Sequence, residues 1–269
     1  MKNNLKISMI VNNDIIWNLM LVYNTCRNLS ENFTIDTIYV VPDKISNKAF
    51  GKSVPLWYLK TFGVRNFLIL SIFSIIRLVH SFFVTGSISF EKTGSLFGIS
   101  VKYVEDPNSG FLKKDIIETN TNIILLHTTH IIKKDLLKIP DIIFINFFCG
   151  DSEQIQGVMP FFWSKIFNIR PCITFHITTS EINRGPIISR YSTGNEDFSM
   201  TGFYRYCFEK YPLLIEKVIE KCVNLSGKKT KSDKNYFSYP EKSDYAKFRK
   251  EDGKIITIKD LFQEIFNKT

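Results

Sequence analysis

The first two-thirds of the chain alternates short apolar runs with amphipathic stretches. KISMIVN (Lys6 to Asn12) is short and largely apolar, the form of a strand buried on both faces of a parallel sheet. Ile15 to Leu29 carries apolar residues at helical spacing, and DTIYVV (Asp36 to Val41) is a second apolar strand stopped by Pro42. Strand, helix and strand at this spacing predict a βαβ unit and an open parallel, doubly wound α/β sheet. Ser100 to Leu112 reads as another strand and turn, followed by NIILLH (Asn122 to His127), a short helix from Lys133 to Leu137, and the strand IIFIN (Ile142 to Asn146). After Tyr191 the pattern changes. A helix is predicted from Phe203 to Cys222, broken or restarted at Pro212, with Phe208, Leu213, Ile215, Val218, Ile219 and Cys222 on its apolar face. Gly227 to Asn235 is rich in lysine and reads as a loop. The expected division is a main unit over 1–195 and a C-terminal helical extension over 196–269; no internal repeat is visible.

Phe67 to Val84, FLILSIFSIIRLVHSFFV, is long and apolar enough to raise the question of a membrane span. Arg77, His80 and three serines within it argue against one, because a charge near mid-span costs a few kcal/mol. The segment is therefore expected to be a buried or partner-facing helix. Peripheral membrane contact is the lesser alternative, with Arg65, Arg77 and His80 as its polar elements. The N-terminal MKNNLKISMIVNNDI has neither the continuous apolar stretch nor the cleavage site of a signal peptide, so a cytoplasmic location is expected. Glycosylation at Asn28, Asn32, Asn224 and Asn267 is accordingly not expected. Five cysteines without C-x-x-C spacing indicate free thiols, with neither a zinc site nor a redox pair.

The net charge of +9 is shared, +5 from residues 201–269 and +4 from the rest. No basic stripe interleaved with aromatics appears, so no nucleic-acid partner is expected. A phosphate-bearing small ligand suits the excess of positive charge.

From Ile142 to Ile188 the chain runs IIFINFFCGDSEQIQGVMPFFWSKIFNIRPCITFHITTSEINRGPII. This stretch resembles the folate-dependent formyltransferases that act on methionyl-tRNA, glycinamide ribonucleotide and sugar nucleotides. That family has a strand ending Asn-x-His, a loop of the type Ser-x-Leu-Pro-x-Tyr-Arg-Gly, a proline opening a helix, a strand of the type Gly-x-Thr-x-His, and an Asp-x-Gly-Pro-Ile-Ile turn. Asn146, Gly157, Pro160, His176 and Gly185-Pro186-Ile187-Ile188 fall in register with these elements. Phe148 stands where the family has its catalytic His, Gln156 where it has the loop Arg, and Asn183 where it has the catalytic Asp. Ser100 to Leu112 is similar to another family passage. Tyr236 to Ile258, with its aromatic-Ser-aromatic-Pro step, resembles the tail of the sugar-modifying branch.

The resemblance implies a Rossmann-like sheet, N10-formyltetrahydrofolate as formyl donor, a nucleotide-linked amino sugar as acceptor, and Gly157, Pro160, Gly185 and Pro186 as the loop positions that shape the cofactor site. A homodimer is a further partner to consider. Formyl transfer from N10 to an amine passes through a tetrahedral oxyanion. The family's Asn stabilises that oxygen, and its His, oriented by the Asp, moves the amine proton. Asn146 retains the first contribution, worth about 10²–10³ in rate. Phe148 carries no proton at any pH, and Asn183 has the shape of Asp without its charge; losing a positioned acid–base removes about 10²–10⁴-fold.

Three readings follow: an N-formyltransferase relative using other residues, a non-catalytic binding protein on the same fold, or different group transfer on the loop Cys149-Gly150-Asp151-Ser152-Glu153. The replacement proton carriers to consider are Asp151, Glu153, His127 and His130. Cys149 reads as an apolar filler before it reads as a nucleophile, since no base adjoins it in sequence. The loss of polarity at positions 148 and 183 suits the binding reading best.

Overall fold

The computed structural model describes residues 5–43, 54–179, 185–194, 196–223 and 236–266. The Asn183 position and the lysine-rich stretch from Gly227 to Asn235 lie outside them.

The apolar runs form a seven-stranded sheet. Its strands are β1 (Leu5–Asn12), β2 (Phe33–Val41), β3 (Ser100–Tyr103), β4 (Ile123–His127), β5 (Ile143–Phe148), β7 (Cys172–Ile177) and β8 (Ile187–Ser192), in the spatial order β3-β2-β1-β4-β5-β7-β8. The first five are parallel, as expected. The last two are not: β7 runs antiparallel to β5, and β8 antiparallel to β7. The stretch between β7 and β8 is too short for the crossover that a parallel pair needs, so the chain must turn back on itself. A second sheet pairs β6 (Gln156–Gly157) with β9 (Tyr236–Phe237).

The chain runs outward from β1 to β3 and then returns to β4 on the other side of β1. Order therefore reverses between β1 and β4, and open α/β sheets bind ligands beyond the strand ends at such a point.

Helices cover both faces: α1 (Asn18–Asn28), α2 (Val54–Thr85), α3 (Phe90–Leu96), α4 (Gly110–Glu118), α5 (Lys134–Leu137), α6 (Pro160–Ile166), α7 (Met200–Val223), α8 (Lys242–Lys250) and α9 (Ile258–Phe266). Two apolar cores result. One holds Ile7, Met9, Leu125, Ile145 and Phe147, and the other holds Ile10, Ile124, Leu126 and Phe144 on the opposite sheet face, as the two-residue period of a strand dictates.

The C-terminal segment shares the larger core, because Phe203, Cys207, Tyr211, Ile215, Val218 and Ile219 of α7 pack within it. Pro212 does not break α7, which is continuous through it. Pro212 itself is buried with this face, and the packing offsets the roughly 3 kcal/mol that a mid-helix proline costs. Leu213, expected on the apolar face, points to solvent.

The apolar segment at residues 67–84 lies within α2, which carries a non-helical residue at Gly63 (φ 82°). Before Gly63, Trp57 and Phe62 enter the core; after it the helix runs along the surface. Arg77 and His80 do not serve as polar elements of an outer face. Arg77 is buried, donates from Nε to the carbonyl of Ile16 at 2.7 Å, and pairs with Glu264 of α9 at 3.0 Å, while His80 Nδ1 stands 3.7 Å from the same carboxylate.

Candidate functional site

On β5 the residues Ile145, Phe147 and Cys149 turn toward the larger core, so Asn146 and Phe148 share the other face. The antiparallel neighbour β7 sets His176 opposite Asn146 and Thr174 opposite Phe148. Asn146 Nδ2 lies 3.3 Å from His176 Nε2. With the amide donating, Nε2 is the acceptor and the ring proton sits on Nδ1, a buried atom with no hydrogen-bond partner. Burial pulls the His176 pKa down to about 4, so the ring is neutral at pH 7.

Beyond the strand the chain closes tightly over this face. Thr174 Oγ1 donates to the Gly150 carbonyl at 2.5 Å. A Cβ on Gly150 would stand 2.5 Å from the Pro160 ring and 3.0 Å from the Phe148 ring, so both side chains close on Gly150. Pro160 opens α6 at its first turn, where its missing N–H costs nothing. Gly185 is pressed against β7: a Cβ there would lie 1.5 Å from the Ile177 carbonyl oxygen, and the Ile177 N–H donates to the Pro186 carbonyl at 2.9 Å. Asn146 and His176 thus sit opposite each other within the pair, with Phe148 and Pro160 toward its Thr174 end and Gly185 and Pro186 toward its Ile177 end.

Gln156 and Gly157 stand apart in the β6–β9 pair. Gly157 has φ 104°, and a Cβ on it would meet the Phe237 carbonyl oxygen at 2.0 Å, which is why glycine is required. Gln156 is buried with Nε2 unpartnered. Asn183 lies outside the described residues.

The replacement proton carriers are engaged elsewhere. Asp151 accepts from the Glu153 N–H at 2.9 Å and from Gln154 Nε2 at 2.7 Å, and Arg190 Nη2 bridges Asp151 (3.2 Å) and Glu153. The two carboxylates organise the loop and share one guanidinium. His127 is wedged between the rings of Phe147 (5.2 Å) and Phe208 (4.8 Å), and burial lowers its pKa to about 4. His130 binds the Pro42 carbonyl through Nε2 at 2.7 Å, which fixes its proton on that nitrogen. Cys149 faces the core and contacts the Cys207 thiol, which burial and that contact push up.

Sequence reasoning passed over Asn12 and named Gly150 only within the loop from Cys149 to Glu153. Asn12, buried at the end of β1, accepts from Thr128 Oγ1 (2.8 Å) and the Thr129 N–H (3.1 Å) and donates to Thr129 Oγ1 (3.1 Å). It thereby ties the ends of β1 and β4 together where the strand order reverses. The signal was a polar residue ending each of two apolar strands. Among the described residues no group of three His, Cys, Asp or Glu is placed to hold a metal ion.

The sequence matches no family model and no curated protein. The structure matches solved formyltransferases. A 4-N formyltransferase from Francisella tularensis superposes with TM-score 0.54 at 16% identity over 88% of this chain and 77% of that one. Glycinamide ribonucleotide transformylase 1 from Symbiobacterium toebii gives 0.56 at 10% identity, covering 85% and 92%. WlaRD, a sugar 3N-formyl transferase crystallised in the presence of dTDP and 5-N-formyl-THF, gives 0.50 at 16% identity, covering 87% and 70%. The chain has the formyltransferase fold.

Proposed function

We propose that this chain uses the formyltransferase fold to bind a nucleotide-linked amino sugar, or its N-formyl counterpart, without transferring formyl groups at an enzymatic rate. One observation carries the reading: among the described residues Asn146 has no partner suited to move a proton. Phe148 lies two residues along its face, His176 is neutral and buried, and Asp151 and Glu153 are bound to Arg190. The residues fit N10-formyltetrahydrofolate only in part. Asn146 supplies an amide for a formyl oxygen, but among the described residues no group is placed to accept the proton that the attacking amine must lose. The sugar-nucleotide class is supported by the likeness to sugar N-formyltransferases and by the +9 charge, which suits a diphosphate.

Thermal shift with dTDP-linked amino sugars, their N-formylated forms and 5-formyl-tetrahydrofolate tests this, alongside a formyl-transfer assay. A nucleotide sugar at about 100 times its Kd adds about 2.7 kcal/mol of stability. A rise in Tm with the sugars and none with the folate is expected. Turnover at about 1 s⁻¹ or faster, an ordinary enzymatic rate, would overturn the proposal.

A further inference from the structure

The second part of α2, after Gly63, is amphipathic in the reverse sense. Its inward stripe contains Phe73, Arg77, Ser81 and Thr85, spaced by four, and Asn66 on the same side bonds the Tyr245 hydroxyl of α8 at 2.8 Å. Its outward stripe is Val64, Leu68, Ile72, Ile75, Val79 and Phe83, spaced by three and four, with Val64 62%, Ile75 61% and Phe83 79% exposed. Polar groups face the protein and apolar groups face out. Over 22 residues, Val64 to Thr85, the stripe is about 33 Å long at 1.5 Å per residue.

The neighbouring helix α9 extends the surface. Its two carboxylates are turned inward: Glu264 onto Arg77, and Asp260 onto Ser199 (2.7 Å) and the Thr257 N–H (2.6 Å). Phe262, Ile265 and Phe266 are left facing out, with the rings of Phe262 and Phe266 stacked. No acidic side chain of either helix reaches solvent, and the exposed charges of the pair are Lys60, Arg65 and Lys259, all positive.

We propose that the outer face of α2 and α9 rests on an anionic phospholipid bilayer and that the protein is monotopic. An apolar surface of this length free of exposed carboxylates, with lysine and arginine as its exposed charges, is complementary to acyl chains beneath negative headgroups. The inward engagement of Arg77 and Asn66 keeps α2 lying along the protein rather than crossing the bilayer. A second copy of the chain fits less well, because a two-fold contact of this face brings together like charges with no acidic residue of these helices to pair them.

Flotation of the full chain with phosphatidylcholine vesicles, with and without about one-third phosphatidylglycerol, tests the assignment. Wild type is expected to float with the anionic vesicles at least tenfold more than with the zwitterionic ones. The variant I75E/F83E is expected to stay at the bottom of the gradient, and I75S/F83S, which adds no charge, to bind at least tenfold less than wild type. Both variants must keep the wild-type circular dichroism and Tm, as substitution at exposed positions allows. Absence of wild-type flotation overturns the proposal. So does sedimentation of wild type as a dimer that both variants dissolve, since the face then belongs to a second copy.

Discussion

Asn146 and His176 face each other across the antiparallel β5–β7 pair, the amide nitrogen 3.3 Å from the imidazole Nε2. The pairing engages one N–H of the Asn146 amide, and burial keeps the imidazole neutral. A neutral buried imidazole makes stability depend on pH. Burial lowers the His176 pKa from 6.5 to about 4 in the folded chain, so between those values the unfolded chain binds the extra proton. Its stabilising contribution is complete above about pH 6.5 and declines as pH falls toward 4, by up to about 3 kcal/mol at 1.36 kcal/mol per pKa unit. His127 adds to the decline in the same window. Wild type should lose several degrees of Tm between pH 7 and pH 5, and His176→Gln, which keeps an acceptor for Asn146 without titrating, should lose clearly less. Equal losses in calorimetric scans would show that His176 is not buried neutral.

Gly157 joins the C-terminal segment to the stretch that leads into α6. Its φ of 104° and the 2.0 Å approach to the Phe237 oxygen leave no room for a methyl group. Gly157→Ala should cost about 2–3 kcal/mol in denaturant unfolding through backbone strain and loss of the β6–β9 pair. Limited proteolysis should then cut near Tyr236 faster than in wild type; an unchanged cleavage pattern would count against the pairing.

Arg77 is the tether that holds α2 to the rest of the chain. Its guanidinium lies 4.3 Å from the Trp17 ring centre and pairs with Glu264, which is 2% exposed. Arg77→Met strands a buried carboxylate and should cost about 3–5 kcal/mol. Arg77→Met with Glu264→Leu removes both charges and should recover most of that loss, a non-additivity that urea melts of the two variants measure directly. Additive losses would mean the pair is not coupled.

The sheet was legible because buried parallel strands write themselves as apolar runs. IIFIN and NIILLH became β5 and β4, and the Phe237-Ser238-Tyr239-Pro240 step leads from β9 into α8 as its resemblance implied. Strand direction was not legible. CITFHI pairs antiparallel with β8 for want of a crossover, which depends on chain length between strands and not on the strand's own residues, whereas its antiparallel pairing with β5 spans a stretch long enough for one. At the site, Asn146, Phe148 and Pro160 could be found from motif spacing. The Asn146–His176 contact could not, since it arises from the register of two strands thirty positions apart. Nor could the ion pair that Arg77 makes on the inner side of α2: its partner Glu264 comes from a helix 187 positions further on.

Restoring chemistry at the site is the strictest check on the binding reading. Phe148 lies on the same face as Asn146, so Phe148→His puts an imidazole where the resemblance expects the proton carrier. Alone it should do little, because Asn183 carries no charge to orient and support an imidazolium, and members of such a unit act non-additively. The triple change Phe148→His, Gln156→Arg, Asn183→Asp returns the carrier, its orienting carboxylate and the loop cation together. Assayed with a formyl-folate donor over several nucleotide-linked amino sugars, it should gain at least about 10²-fold over wild type, the lower end of what a positioned acid–base contributes. The sugar that gives the gain also identifies the class of ligand the wild-type site holds. If wild type is already fast and the triple change slows it, Asn146 works with a proton carrier other than position 148, and the binding reading fails.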